Sequence, residues 1–401
     1  MISSRVAGLA AAVVLVSAAC SGTPPPATSG SPAAAPPSTI SAEAALPPDV
    51  ISRIDRLGAA ALGGGITGAV VSVVDPSRGT LLKAYGVADT AGTPMAPDMH
   101  YRIASVSKTF TADAVLELAG QGRLSLDDPL ARYVPDIPNG DQITVRDLLG
   151  MRGGVYDFTA DPGFGARYDA DPTLPGWTPD DVLQIVRARP DKAVAPRTRT
   201  VYSNSEYVLL GYILEKAAGR TAPNHLTDLA RRLDLPNTSF PTDLALPPPF
   251  SRGYITGGQP ATPAGPTAPA AAPRDGTASN PLVPWTAGAM ISTVADMTRY
   301  APMLATGAGL PPQVAAERQT WTPLTTTGVR LQYGLGITQL GDWVGHDGSI
   351  FGYSDMVFYL PARKATVVVM VNAADGDEVP AQALWGDLVK LLYPDSLTQW
   401  P

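Results

Sequence analysis

The chain has 401 residues, 45% of them hydrophobic, a formal net charge of −7 and one cysteine, Cys20. That length admits one large core or two modest ones. The acidic balance offers no basic footprint for a phosphate backbone and argues against nucleic-acid partners, and a single cysteine excludes an internal disulfide or a thiolate-rich metal site.

Residues 1–19 carry one positive charge, Arg5, then an apolar run from Val6 to Val16 and the small residues Ser17, Ala18 and Ala19 before Cys20. This is the grammar of a signal peptide, and the run is too short for the ~20 residues of a membrane-spanning helix. Small residues closing an apolar run at a cysteine resemble the bacterial lipobox, in which Cys20 becomes the lipidated first residue; Ser17 departs from the aliphatic residue usual there. The alternative is a secretion signal discarded with its cysteine. Residues 20–47, rich in Pro, Ala and Ser, lack the bulky apolar residues needed to offset ordering entropy and read as a disordered tether. These features imply an extracytoplasmic, membrane-anchored protein.

The body, residues 48–395, opens with an apolar stripe of Val50, Ile54 and Leu57 that predicts a helix. Two strand-like runs follow around the turn Asp75-Pro76-Ser77-Arg78-Gly79. The middle holds helical patterns such as TADAVLELAGQG, ITVRDLLG and YVLLGYILEKAAG, giving a helical subdomain over roughly 120–250. Residues 257–284, dominated by Pro, Ala, Gly and Thr, predict an exposed insertion loop. Near the end YGLGITQL, SIFGYSDMVFYL and KATVVVMVN read as three strands with short, hence antiparallel, connections, and VPAQALWGDLVKLLY as a closing amphipathic helix. The fold class is α+β, an antiparallel sheet flanked by terminal helices with a helical subdomain.

Three short motifs carry the chemistry. Ser105 precedes Lys108 by three residues at a helix start, so amine and hydroxyl share a face near the positive end of the helix dipole. A half-buried lysine there loses its proton more easily and can serve as a general base. Tyr202 and Asn204, one residue apart, place a phenol and an amide where both face a cleft from a loop. His346, Asp347, Gly348 and Ser349 stand before a strand, with Gly348 allowing close backbone approach and His346 presenting a polar or cationic group. Each motif alone has a bland structural reading. His100 and His225 show no metal-ligand spacing, and no cofactor or metal is implied.

In this order and spacing, Ser-x-x-Lys, Tyr-x-Asn and a basic residue-x-Gly resemble the active-site triplet of serine β-lactamases and penicillin-binding proteins. Tyr-Ser-Asn with His-x-Gly resembles the subset that contains D-alanyl-D-alanine carboxypeptidases, class C β-lactamases and esterase relatives. YRIASVSKTFTA, GRLSLDDPLARYVPD, LPNTSF, STVADM and YGLGI extend the likeness over roughly residues 48–392.

The resemblance implies that Ser105 forms an acyl-enzyme, Lys108 and Tyr202 share the proton work, and His346 steers a carboxylate or completes a relay. It further implies that Asn204 binds the substrate amide, with Gly348 and Ser349 in the substrate-binding strand and the amides of Ser105 and Ser349 forming the oxyanion hole. Two departures stand out. Gly150-Met151-Arg152-Gly153-Gly154 replaces a His-Thr-Ser-Gly turn and Pro196-Arg197 a Pro-Gly turn, with Arg152 and Arg197 read alternatively as solvated side chains. The expected substrate is a D-alanyl-D-alanine-type cell-wall peptide or a β-lactam. Small or lipid esters form the alternative, and a non-catalytic cell-wall-binding lipoprotein is a third reading.

Overall fold

The computed structural model describes residues 44–397 except 64–65, 172, 257–272, 326–330 and 375–378. The signal peptide, Cys20 and nearly all of the tether lie outside the described residues, as do residues 257–272 of the insertion. Helix α1 (Pro48–Gly63) leads into β1 (Gly68–Asp75), β2 (Gly79–Gly86) and the short β3 (His100–Arg102). Helices α2 (Ser107–Gly120), α3 (Val145–Leu149), α4 (Pro162–Ala170), α5 (Pro179–Ala188), α6 (Asn204–Ala218) and α7 (Ala222–Arg232) form the helical middle. Next come β4 (Tyr254–Ile255), β5 (Arg274–Asp275), β6 (Ile291–Thr293), α8 (Val294–Thr306) and α9 (Pro312–Arg318). The chain continues through β7 (Thr322–Pro323), β8 (Leu331–Tyr333), β9 (Thr338–Leu340), β10 (Trp343–Ile350), β11 (Tyr353–Leu360), β12 (Ala365–Val371), β13 (Ala373–Ala374) and α10 (Pro380–Leu392).

Eight strands form one sheet in the order β2-β1-β12-β11-β10-β9-β8-β7, with antiparallel pairing throughout. The α+β expectation holds. The β1–β2 hairpin turns where the sequence predicts it, because the Asp75 carboxylate accepts from the Ser77 amide at 2.8 Å and Gly79 takes φ 115°. Strand alternation gives the sheet two different faces. On one, Val71, Val73, Phe358, Val367 and Val369 meet α1 and α10 through Ile54, Trp385 and Leu388. On the other, Val70, Val357, Val368 and Met370 join the larger core with α2, α6 and α8.

Four sequence-based boundaries need correction. Leu46 is buried and its amide donates to the Thr80 carbonyl at 3.0 Å, so the body captures the last residues assigned to the tether. Residues 273–284 are no exposed loop: they include β5, and Ser279, Asn280 and Val283 are buried. Asn280 Nδ2 donates to the carbonyls of Leu174 and Trp177, which gives this proline-rich run a polar anchor that composition does not reveal. YGLGITQL is two strands, split where Gly336 adopts φ 79°. SIFGYSDMVFYL is divided by Gly352 at φ 89°, so the His346 motif lies inside β10 and not ahead of a strand.

Candidate active site

Ser105 sits in a single 3-10 turn, Ala104–Val106, that runs straight into α2. Ala104 takes φ 44°, a left-handed conformation unfavourable for a residue with a side chain. The turn is held from outside: a Cβ on Gly348 of β10 would come within 2.8 Å of Ala104 Cβ and 3.0 Å of the Ser105 amide. The missing side chain therefore makes room for the protein's own serine turn, beyond the substrate approach expected from sequence. Among the described residues β10 pairs with β9 at Trp343, Val344 and Gly345, and residues 346–350 pair with β11.

Lys108 is wholly buried one turn after Ser105. Its Nζ donates to Ser105 Oγ at 3.0 Å, Asn204 Oδ1 at 2.8 Å and the Ala287 carbonyl at 2.7 Å. Those three acceptors saturate an ammonium group. When the amine is neutral, its two hydrogens serve the two carbonyl-type oxygens and its lone pair is left for the Ser105 hydroxyl. Burial lowers Lys108 to about 7, with the carboxylates of Asp157 and Asp347 pulling the other way.

Asn204 opens α6 and is engaged at both ends of its amide. Oδ1 accepts from Lys108, and Nδ2 donates to Asp157 Oδ2 at 3.1 Å, so Asn204 orients the lysine and keeps one amide hydrogen for other partners. Burial raises the Asp157 carboxyl, against hydrogen bonds from the Thr159 and Asn204 amides. Tyr202 precedes the helix, its ring 4.8 Å from Lys108 Nζ. Burial pushes its phenol well above the ordinary range, opposed by a hydrogen bond with Ser105.

His346 is 1% exposed. Nδ1 lies 2.6 Å from the Asp347 carbonyl, which can only accept, so this nitrogen carries a proton; Nε2 lies 3.2 Å from the Tyr333 hydroxyl. Burial lowers the imidazole, with the Asp347 carboxylate opposing. Of the polar and cationic roles expected of His346, the polar one fits a neutral buried ring. Ser349, paired with Ser354 of β11, is partly exposed. Among the described residues no three acidic, histidine or cysteine side chains are grouped to hold a metal ion.

Ser105, Lys108, Tyr202, Asn204, His346 and Gly348 thus come together from the turn into α2, α2 itself, the entry to α6 and β10. Sequence reasoning missed Asp157, the Ala287 carbonyl, Tyr207 and Tyr333. Tyr333 was in view as the first residue of YGLGI, but nothing local ties it to His346.

The departing turns have physical explanations. Arg197 occupies a glycine-type conformation at φ 65°, its amide donates to the Arg152 carbonyl at 2.8 Å, and its guanidinium pairs with buried Asp147, so it is not simply solvated. Gly153 leaves room for Glu206, whose Oε1 would lie 2.9 Å from a Cβ there and accepts from the Val155 amide at 3.2 Å. Burial pushes the Glu206 carboxyl well above its ordinary range, opposed by hydrogen bonds from the backbone amides of Val155, Gly153 and Gly154.

The family model described as Beta-lactamase matches residues 51–390. Protein flp of Staphylococcus aureus (strain COL) is 30% identical over 185 residues, 44% of this chain and 35% of flp, so the match spans about a third of that relative's length. A D-stereospecific amidohydrolase from Streptomyces sp. superposes with a TM-score of 0.73 at 26% identity, covering 86% of this chain and 98% of the other. D-amino acid amidase from Ochrobactrum anthropi SV3, complexed with D-phenylalanine, gives 0.74 at 25% identity, covering 86% and 99%. With its serine, lysine and tyrosine gathered at one hydroxyl and the match running through almost all of the body, the chain belongs to the beta-lactamase family of serine hydrolases.

Proposed function

We propose that this enzyme hydrolyses amide bonds at D-configured residues, D-alanyl-D-alanine-type peptides foremost, through an acyl-enzyme on Ser105. The observation that carries the reading is the buried Lys108 amine, held by Asn204 and Ala287 with its remaining valence on Ser105 Oγ. Neutral Lys108 takes the serine proton as Oγ attacks the carbonyl carbon. The amides of Ser105 and Ser349 receive the oxyanion, a contribution of about 3–4 kcal/mol per donor in comparable sites. Tyr202, protonated at rest, returns a proton to the departing amine, and water then releases the acyl group by the same route reversed. Relatives named as a D-stereospecific amidohydrolase and a D-amino acid amidase support the choice of amide and of D configuration. The sequence features around Cys20 support a lipid anchor holding the enzyme outside the cytoplasmic membrane.

Parallel time courses on a D-Ala-D-Ala peptide, a D-amino acid amide, nitrocefin and a short-chain ester test the substrate. Turnover of the D-amides at the highest kcat/KM is expected, and a preference for the ester by more than tenfold would favour the esterase reading. Intact-mass detection of a fluorophosphonate adduct, lost in Ser105→Ala, tests the nucleophile; an unlabelled wild type would return the non-catalytic binding reading.

A further inference from the structure

The Ala287 carbonyl that accepts from Lys108 belongs to a segment whose seating can be traced bond by bond. Residues Trp285–Ala287 form a single 3-10 turn ahead of β6, and all three are buried. Trp285 takes φ 37°, a conformation that a bulky residue keeps only where its surroundings impose it. Two helices do so. On α2, Lys108 and Thr111 lie three residues apart on one face and meet consecutive carbonyls: Lys108 Nζ donates to Ala287 at 2.7 Å and the Thr111 hydroxyl to Thr286 at 2.8 Å. On α6, the Tyr207 carbonyl accepts from the Thr286 hydroxyl at 2.8 Å, and the Tyr212 ring packs edge to face against Trp285 with centroids 5.0 Å apart. Gly211 of α6 leaves the space, since a Cβ there would come within 2.3 Å of Thr286 Oγ1 and 2.5 Å of Trp285 Cζ3. Just past the turn, the Met290 amide donates to the Ser107 hydroxyl oxygen at 3.0 Å.

We propose that Thr286, seated by Thr111 and Gly211, is a positioning residue that aims the Ala287 carbonyl at Lys108 Nζ and thereby decides which valence of the amine is left for Ser105. The role in turnover rests on the acyl-enzyme reading above; the seating of the lysine does not. With the carbonyl in place, a neutral amine gives one hydrogen to Ala287 and the other to Asn204, and its lone pair has Ser105 Oγ to meet. With the carbonyl turned away, one hydrogen is released to donate to Oγ, and the amine then faces the hydroxyl as a donor when it must accept a proton. An ammonium in the same setting loses one of its three acceptors. Hydrogen bonds from a charged donor are the stronger kind, so the charged form suffers more and the lysine gives up its proton more readily. The charged and titratable groups facing Lys108 are Asp157 ahead of α4, Asp347 and His346 of β10, and the phenols of Tyr202 and Tyr207 at α6. Thr286 and Thr111 carry no titratable group, so replacing either leaves that set of charges unaltered.

The chain has six lysines, so carbon-13 labelling at lysine Cε in the full protein gives few signals, with Lys108 assigned by its loss in Lys108→Met. The expected result is a Lys108 titration midpoint that falls in Thr286→Val, which removes the bond to Tyr207, and in Thr111→Val, which removes the bond to the Thr286 carbonyl. Thr286→Ser, which keeps the hydroxyl, is expected to restore the midpoint. On a D-Ala-D-Ala peptide the valine variants are expected to lose about 10–100-fold in kcat with KM within about twofold, and the acid limb of kcat/KM moves to lower pH with the lysine. A midpoint that neither valine variant moves, or one that serine does not restore, overturns the proposal. Should Thr286→Val fail to fold, Thr111→Val, acting on the same carbonyl from the other helix, decides alone. Fluorophosphonate labelling of Ser105, run on the same samples, separates the two ideas: a wild type that does not label sinks the hydrolase reading and leaves the lysine titration standing.

Discussion

The two faces of the main sheet are built from the same strands and differ in what they bury. Toward α1 and α10, Trp343, Phe358 and Trp385 pack ring to ring at centroid distances of 5.1–5.3 Å among valines, and the Trp385 indole nitrogen donates to the Val367 carbonyl. Toward α2 the same strands bury His346 and Asp355, while α2 itself buries Lys108, and both Asp355 carboxylate oxygens lack partners among the described residues. Burying apolar area stabilises at roughly 25 cal/mol per Å², whereas burying a charge costs free energy unless it is paired or neutralised. Both faces contribute apolar burial, but the one toward α2 also carries Lys108, His346 and Asp355 against their desolvation cost, a division that alternation along β10 and β11 makes possible without separate domains.

Substitutions can break or sharpen this contrast. The largest effect is expected for Ser105→Ala, a loss of turnover of at least ~10³-fold with little change in thermal stability, checked by steady-state kinetics and calorimetry. Lys108→Met comes next. Activity is expected to fall about 10²–10⁴-fold, while the variant unfolds at a higher temperature than the wild type. The sign follows from burial lowering Lys108 from 10.5 to about 7. Between those values the unfolded chain holds more protons than the native one, so wild-type stability rises with pH across the window and the advantage of methionine is greatest below it. A methionine variant no more stable than wild type at pH 6 would contradict the division between faces.

Trp385→Ala, on the apolar face, is expected to cost about 3–5 kcal/mol in denaturant unfolding while leaving kcat per folded molecule unchanged. Asp157→Ala releases Asn204 and is expected to lower kcat about 10–100-fold. Since Asp157 holds Lys108 up, its removal also moves the acid limb of kcat/KM to lower pH. The smallest change is expected for Arg197→Gly. Relief of the left-handed backbone, about 1 kcal/mol, opposes loss of an ion pair whose arginine is 48% exposed, and the net shift in unfolding free energy stays within about 1 kcal/mol.

The apolar face was legible in the sequence because period-two strands and an amphipathic last helix are local patterns. Ser105 and Lys108 were legible for the same reason, one helical turn joining them. Asp157 was not, because its partner Asn204 stands 47 positions away and nothing near either residue records the contact. Tyr333 is only 13 residues from His346, yet β9 and the two turns that flank it separate them, and the family likeness marks YGLGI as text without saying what its phenol touches. The 273–284 segment misled because Pro, Ala and Gly describe backbone freedom and are silent about carbonyls elsewhere that need a donor, which Asn280 supplies.

Arg197 sits where the backbone asks for glycine, and its guanidinium is tied to Asp147. Neither end of that contact depends on the other alone: the Thr144 amide and hydroxyl also donate to the Asp147 carboxylate, and the Arg197 guanidinium also donates to the Gln142 carbonyl. This edge of the cleft is therefore redundantly tied, and a single replacement at the bend leaves the acid seated at the start of α3.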